Sequence, residues 1–412
     1  MSISGIPIRY VRSVSGLLTL TEAQSLVLAH VRPVAAETVA LREAFGRVTA
    51  VPVQSLVDLP PFPSSAMDGF AVRSGDAPGR FAVVDRSAAG SPAERVLGVG
   101  EAIEISTGGV VPSGADAVVP VEYVVKYDNQ IEIGQRVEPG SHIRPRGGDV
   151  AAGDGVVPAG VRLGPGQLGA LAAAGVAEVV SARRPRVAIL ATGSELVQPG
   201  APLAPGQIYE SNSLMLAAAL AAAGADIETV PPVADDESAH REALERGLAA
   251  DVLVTSGGVS VGPHDLVRRV AAELGVEEVF WRVAIKPGKP VSFGVRGETL
   301  VFGLPGNPVS SLVGCELFVK PALRALQGLA APLPRVEAGR LATGVSRNGA
   351  RDEFVRARSR LDGNEVVLEP LTGQESHMIV RAAAADALVH VPRGEGRLEP
   401  GAAVGWLRLG VD

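Results

Sequence analysis

The sequence predicts a multidomain protein of mixed α/β and β class, with one unit built on a mainly parallel sheet and β-rich segments on either side. Three observations carry this expectation. The chain has 412 residues, enough for two to four domains with separate cores. From Arg186 to about residue 330, apolar strands alternate with helical stretches: VAILAT (187–192), a helix over roughly 211–223 stopped by Gly224, IETV, a helix over about 236–249, then VLVT. The flanks at about 51–145 and 331–412 instead show short alternating runs such as FAVV, EAIEIS, QIEIG, EVVLEPL and ALVHVP, cut by Gly, Pro and Asp.

Taken in order, residues 13–49 read as helical, because SGLLTLTEAQSLVLAHV places apolar residues at near-helical spacing and offers Thr21 as an N-cap. The β-rich stretch 51–145 follows. GGDVAAGDGVVPAGVRLGPGQLGALAAAGVAEV then gives short strands and a small-residue helix, ending at the basic SARRP junction. The expected division is therefore 1–50 with 146–180, 51–145, 181–330 and 331–412. No internal repeat is evident.

Composition excludes several classes. The chain is 46% hydrophobic, 20% charged and only 4% aromatic, which suits cores of Ala, Val and Leu. A net charge of −7 with no basic stripe argues against a nucleic-acid partner, so an anionic ligand has to be held by a few local cations. One cysteine, Cys315, leaves no disulfide framework and no cysteine-based zinc or iron–sulfur site. The charge-free window 299–315 contains Pro305 and Pro308 and is too short for a membrane span. MSISGIPIRYVR lacks the apolar centre of a signal peptide, so the expected location is the cytoplasm.

Candidate chemistry gathers in loops that follow strands, where open α/β sheets bind ligands. VLVTSGGVSVGPHD (252–265) runs from a strand into Gly257, Gly258, Ser260 and Gly262, and Asp265 opens the next helix. Its glycines suit a phosphate-bearing ligand, yet it is neither a Walker loop nor G-x-G-x-x-G. ATGSEL places Thr192, Gly193, Ser194 and Glu195 after a core strand, where a carboxylate suits a hard cation such as magnesium. In AIKPGKPVSFG, Pro287 removes helix as an option, so Lys286 and Lys289 project from a stiff loop; a solvated hairpin is the plain alternative and a small oxyanion the natural ligand. GLPGNPVSSL offers Pro305, Gly306 and Asn307 ahead of a helix, with Asn307 as N-cap, Pro308 in the first turn and Ser310 near its start; ordinary capping would account for this equally. Asp68, Thr107 and Asp149 sit in three further loops, each unremarkable alone. Six scattered histidines without HExxH spacing point away from a protein-held transition metal.

In this order, PPFPSSAMDGFAVR, TGGVVPSGADAVV, IRPRGGD, ATGSEL, SGGVSVGPHD, IKPGKP and GLPGNPVS resemble the molybdopterin molybdenumtransferases, the MoeA and gephyrin E-domain type, over nearly the whole chain. The resemblance implies N-terminal helices with an elongated segment, an inserted β-rich domain, a MogA-like α/β domain that binds the pterin, and a C-terminal β-barrel. It implies insertion of molybdenum from molybdate into adenylylated molybdopterin, with magnesium present and AMP released. Asp265, Glu195, Asp149 and Asp235 then match catalytic positions, Glu195 and Asp265 also serving the metal. Lys286, Lys289, Ser310, Arg356 and Ser376 match an oxyanion pocket. Thr192, Gly193, Gly257, Gly258, Ser260, Gly262, Pro305, Gly306 and Asn307 fall to the pterin and nucleotide.

The resemblance further implies a homodimer in which Asp68, Thr107 and Asp149 reach a neighbouring subunit's cleft, and a molybdopterin adenylyltransferase as pathway partner. Many relatives carry an acid where this chain has Pro63 and Asp where it has Ser194, so neither position supplies a catalytic carboxylate here. A pterin adenylyltransferase shares the glycine loop but needs only the α/β domain. A non-catalytic scaffold is the other alternative.

Overall fold

A computed structural model describes residues 17–233, 236–258 and 266–410. The chain divides into two compact units, one comprising the chain up to Ala36 with Ala182 onward, the other Glu37–Ser181.

The first unit is organised by a six-stranded sheet in the order Asp226–Val233, Arg186–Thr192, Val252–Ser256, Thr299–Leu304, Ser292–Arg296, Glu277–Trp281. The first four strands are parallel, and the last two extend the sheet antiparallel. Val252–Ser256 is buried at every residue and Arg186–Thr192 at all but its first, as strands covered on both faces must be. Alternation sorts their side chains. Val187, Ile189, Val252 and Val254 pack with Leu216, Leu220 and Val313, whereas Ala188, Leu190 and Leu253 pack with Leu244, Val267 and Val270. The register aligns Ala191 with Ser256 and Ser256 with Leu304, so three loops leave one sheet edge at the same level.

In the same unit, Glu337–Leu341, Asp352–Asp362, Glu365–Pro370, Ala387–Val391 and Ala403–Arg408 close into a five-stranded barrel, because Asp352–Asp362 pairs on both sides. Trp406, Leu341, Val355, Leu368 and Val389 fill it. Ile285–Lys286 adds to this sheet, parallel to Asp352 and Glu353.

The helix expected over 13–49 is far shorter. It spans Leu20–His30, followed by a strand at Ala36–Ala40 and a 3-10 turn at Leu41–Glu43. Val31 is already extended, with φ −76 and ψ 133, and Pro33, which disfavours helical backbone at Arg32, bars any continuation of the helix. Its N-cap is Thr19 rather than Thr21. Only Thr19 has an acid three residues on, and Glu22 completes a reciprocal capping box.

The second unit holds a six-stranded sheet in the order Ala117–Pro120, Gly69–Val72, Glu101–Ile105, Gly79–Ser87, Gln130–Ile133, Val124–Tyr127, antiparallel except for the Gly79–Ser87 and Glu101–Ile105 pair. The segments entering and leaving this sheet pair with each other, Val53–Gln54 with Gly155–Val157 and Ser64–Ser65 with Ile143–Arg144. Helix Pro165–Ala173 packs Leu171 into a small core with Ala44, Val157 and Leu163.

Candidate functional site

The strand ends of the parallel sheet converge through backbone contact. Gly257 has φ +99, and its N–H donates to the Leu304 carbonyl at 3.0 Å. A Cβ there would lie 2.7 Å from the Thr192 carbonyl oxygen, and one on Gly258 (φ +62) would lie 2.5 Å from a Val267 methyl. Glycine is thus required twice, by conformation and by space. A Cβ on Gly306 would sit 3.7 Å from the Gly257 Cα, so the loops after Thr192, Ser256 and Leu304 form one floor.

Asn212, which the sequence reading passed over, ties this floor together. Its buried Nδ2 donates to Ser256 Oγ at 2.8 Å and to the Gly306 carbonyl at 2.7 Å. Ser311 adds a bond to the Pro305 carbonyl. On the other side, Glu195 is exposed, and a Cβ on Gly193 would fall 2.5 and 2.6 Å from its two carboxylate oxygens. Absence of a side chain at Gly193 therefore makes room for that carboxylate over the strand end.

The lysine loop abuts this region. Gly288, with φ +105, lies close enough to the start of the next helix that a Cβ would be 3.6 Å from the Ser310 carbonyl. Lys286 Nζ contacts Glu353 Oε1 at 2.8 Å, while Lys289 is exposed and has no carboxylate in ion-pair range among the described residues. Pro308 occupies the first turn as expected. Asn307 departs from expectation: it makes no side-chain cap bond, and its Nδ2 donates instead to Ser376 Oγ at 2.9 Å, while the Val309 N–H donates to the Ser376 carbonyl at 3.0 Å. The Ser376 carbonyl thus takes the Val309 N–H that a capping side chain would have accepted, so the barrel loop does the work of the cap.

Arg356 is 1% exposed, and its Nη2 donates to the Gly373 carbonyl at 2.8 Å. Its Nε and Nη1 are buried without a partner. Burial lowers its pKa below the usual guanidinium value, against the opposing effect of the Glu375 charge. Unpartnered buried guanidinium donors are costly and suit an anionic ligand.

Three family models match: "MoeA N-terminal region (domain I and II)" over 18–175, "Probable molybdopterin binding domain" over 188–325 and "MoeA C-terminal region (domain IV)" over 338–409. The chain is 38% identical over 389 residues to molybdopterin molybdenumtransferase 2 of Mycobacterium tuberculosis, covering 91% of this chain and 95% of that protein. The chain belongs to the molybdopterin molybdenumtransferase family. A Staphylococcus aureus molybdopterin molybdenumtransferase is 31% identical over 372 residues, covering 88% of this chain and 89% of that protein. A crystal structure of a molybdopterin biosynthesis MoeA protein from Pyrococcus horikoshii superposes with a TM-score of 0.83 at 29% identity, covering 95% of this chain and 100% of that one.

In this chain Thr192, Gly193, Glu195, Gly257, Gly258, Pro305, Gly306, Asn307, Ser310, Lys286, Lys289, Arg356 and Ser376 all belong to the first unit. Ser260, Gly262, Asp265 and Asp235 lie outside the described residues. Asp68, Thr107 and Asp149 belong to the second unit. There the Thr107 N–H donates to Asp68 Oδ1 at 2.7 Å, joining two exposed loop residues, whereas Asp149 is placed by its N–H on the Leu59 carbonyl at 2.9 Å. Asn212 and Glu353 are the additions. The first hides as one asparagine at a helix start, and the second shows only through strand register. No described helix is long and apolar enough to cross a membrane.

Proposed function

We propose that this protein inserts molybdenum from molybdate into adenylylated molybdopterin and releases AMP. The observation that carries the reading is the floor of strand-end loops, with glycines where backbone must approach a ligand, beside a loop bearing two lysines. Relatives matched over most of their length are named molybdopterin molybdenumtransferases, which supports the transfer of molybdenum to molybdopterin. Thr192, Gly193, Gly257, Gly258, Pro305, Gly306 and Asn307 take the pterin and nucleotide, together with Ser260 and Gly262. Lys286, Lys289, Ser310, Arg356 and Ser376 take molybdate, whose double negative charge and four oxygens suit several cations and hydroxyls. Four domains with the boundaries expected from the sequence belong to this reading.

Magnesium fits the exposed carboxylate of Glu195, in the space left by Gly193, because this ion is held by one or two carboxylates together with substrate phosphate. Asp265 is the second proposed carboxylate. The ion would neutralise charge on the phosphates as AMP leaves. Glu195 positions that charge, and the lysines hold the oxyanion. Asp149 and Asp235 complete the acids assigned to catalysis.

We also propose a homodimer in which Asp68, Thr107 and Asp149 serve the partner's cleft, with a molybdopterin adenylyltransferase supplying the adenylylated substrate. Asp149→Ala and Lys286→Ala, each inactive alone, should recover roughly a quarter of wild-type activity when co-expressed, because half the dimers are mixed and each carries one intact site. Mixed dimers that stay inactive would refute the shared site. The reaction itself is tested by incubating the purified protein with adenylylated molybdopterin, magnesium and molybdate, and assaying for cofactor that activates an apo-molybdoenzyme. Failure to form it would refute the assignment.

A further inference from the structure

We propose that Glu353 is the internal counter-ion of the oxyanion pocket, holding the Lys286 ammonium until an incoming oxyanion takes its place; this rests on the assignment of Lys286 to molybdate. The contact is built into the fold. Lys286 and Glu353 are register partners where Ile285–Lys286 pairs in parallel with Asp352 and Glu353, and the Asp352 N–H donates to the Ala284 carbonyl at 2.9 Å. Partners in register carry their side chains close together, so backbone geometry brings the carboxylate to the ammonium. They meet at 2.8 Å, with Glu353 13% and Lys286 44% exposed. The carboxylate is therefore the fixed wall, and the ammonium, on a flexible four-carbon stem, is the group that can turn away.

Both residues line one cavity with Ser346, Asn348 and Gln374. Among the described residues, neither Lys289 nor Arg356 has a carboxylate in ion-pair range, so of the three cations assigned to the oxyanion only Lys286 is in contact with a carboxylate, the Glu375 charge acting on Arg356 from further away. A carboxylate in that position competes with any anion for Lys286. It also repels a bound dianion with twice the energy that it repels a monoanion at the same place. That factor of two separates a counter-ion from a residue that only shapes the pocket.

The test is calorimetric titration with molybdate, a tetrahedral dianion, and perrhenate, a tetrahedral monoanion of similar size. Glu353→Gln removes the charge and keeps the shape; Glu353→Asp keeps the charge and guards against a loss of affinity caused by misfolding. We expect Glu353→Gln to bind molybdate about tenfold tighter and perrhenate about threefold tighter, the same electrostatic gain per unit charge, and Glu353→Asp to remain near wild type. Weaker or unchanged binding of molybdate by Glu353→Gln, or an equal factor for both anions, overturns the counter-ion. If wild-type protein fails to bind molybdate, or Lys286→Ala binds it unchanged, the pocket assignment falls and the counter-ion falls with it. Weakened binding in Lys286→Ala without a gain in Glu353→Gln overturns the counter-ion alone.

Discussion

Asn212→Ala is the substitution whose effect can be worked most directly from the structure. The Asn212 side chain is buried and makes two short bonds from one nitrogen, 2.8 Å to Ser256 Oγ and 2.7 Å to the Gly306 carbonyl. Each ordinary bond contributes about 0.5–1.5 kcal/mol, and a buried acceptor left without a donor costs about 1–3 kcal/mol. Ser256 keeps a weaker partner in Ser311, whose Oγ is 3.4 Å away, so the unmatched group is mainly the Gly306 carbonyl. Gly306 is itself exposed, so its carbonyl can take water in place of the amide, and the loss is that of the two bonds, about 1–3 kcal/mol. Urea unfolding should be followed by the fluorescence of Trp281, which lies in the same sheet, in a Trp406→Phe background. Asn212→Asp should be at least as unstable, since it returns no donor and brings a carboxylate oxygen against a carbonyl. A change within about 0.5 kcal/mol of the parent in Asn212→Ala, the range of ordinary surface substitutions, would refute the clamp.

Three other expectations follow from separate parts of the molecule. Burial alone would raise the Asp251 carboxyl, but hydrogen bonds from Arg183 at 2.6 and 2.7 Å, the Arg186 N–H and the charges of both arginines outweigh it and hold the pKa below the usual value. A lowered folded pKa means stability that is complete above the unfolded carboxyl value of about 3.9 and lost as pH falls through the folded one, so wild type and Asp251→Asn should differ near neutrality and converge in acid unfolding experiments. Cys315 is fully buried, and burial, then the neighbouring Glu316 charge, pushes its thiol pKa up despite Lys320; thiol reagents should label the protein only on unfolding, and rapid labelling of native protein would contradict this. Lys289→Ala should weaken molybdate binding roughly tenfold or more, by loss of one charge-assisted hydrogen bond, as read by calorimetry; unchanged affinity would place the oxyanion elsewhere.

The parallel sheet was legible because its central strands are buried on both faces and so read as unbroken apolar runs, VAILAT and VLVT, each ending in a glycine loop. The glycine and lysine loops were legible for a related reason, since Gly257 and Gly288 mark backbone that other residues cannot adopt. The first helix was overextended because apolar spacing continued past Pro33 into residues that form a strand instead. Asn307 was read as a cap from local pattern, whereas its partner, Ser376, lies 69 residues away. Glu353 was missed on the same ground. Its meaning depends on pairing with Lys286 across strands far apart in sequence, and a single chain read without register does not show it.

The most direct measurement of the central claim is AMP release from adenylylated molybdopterin and magnesium as molybdate is titrated. We expect a saturable dependence on molybdate, shifted to much higher concentration in Lys286→Ala and Lys289→Ala and nearly abolished when both lysines are removed. AMP released at the full rate without molybdate, or with an unaltered molybdate dependence in the double variant, would contradict the assignment of this loop and this chemistry.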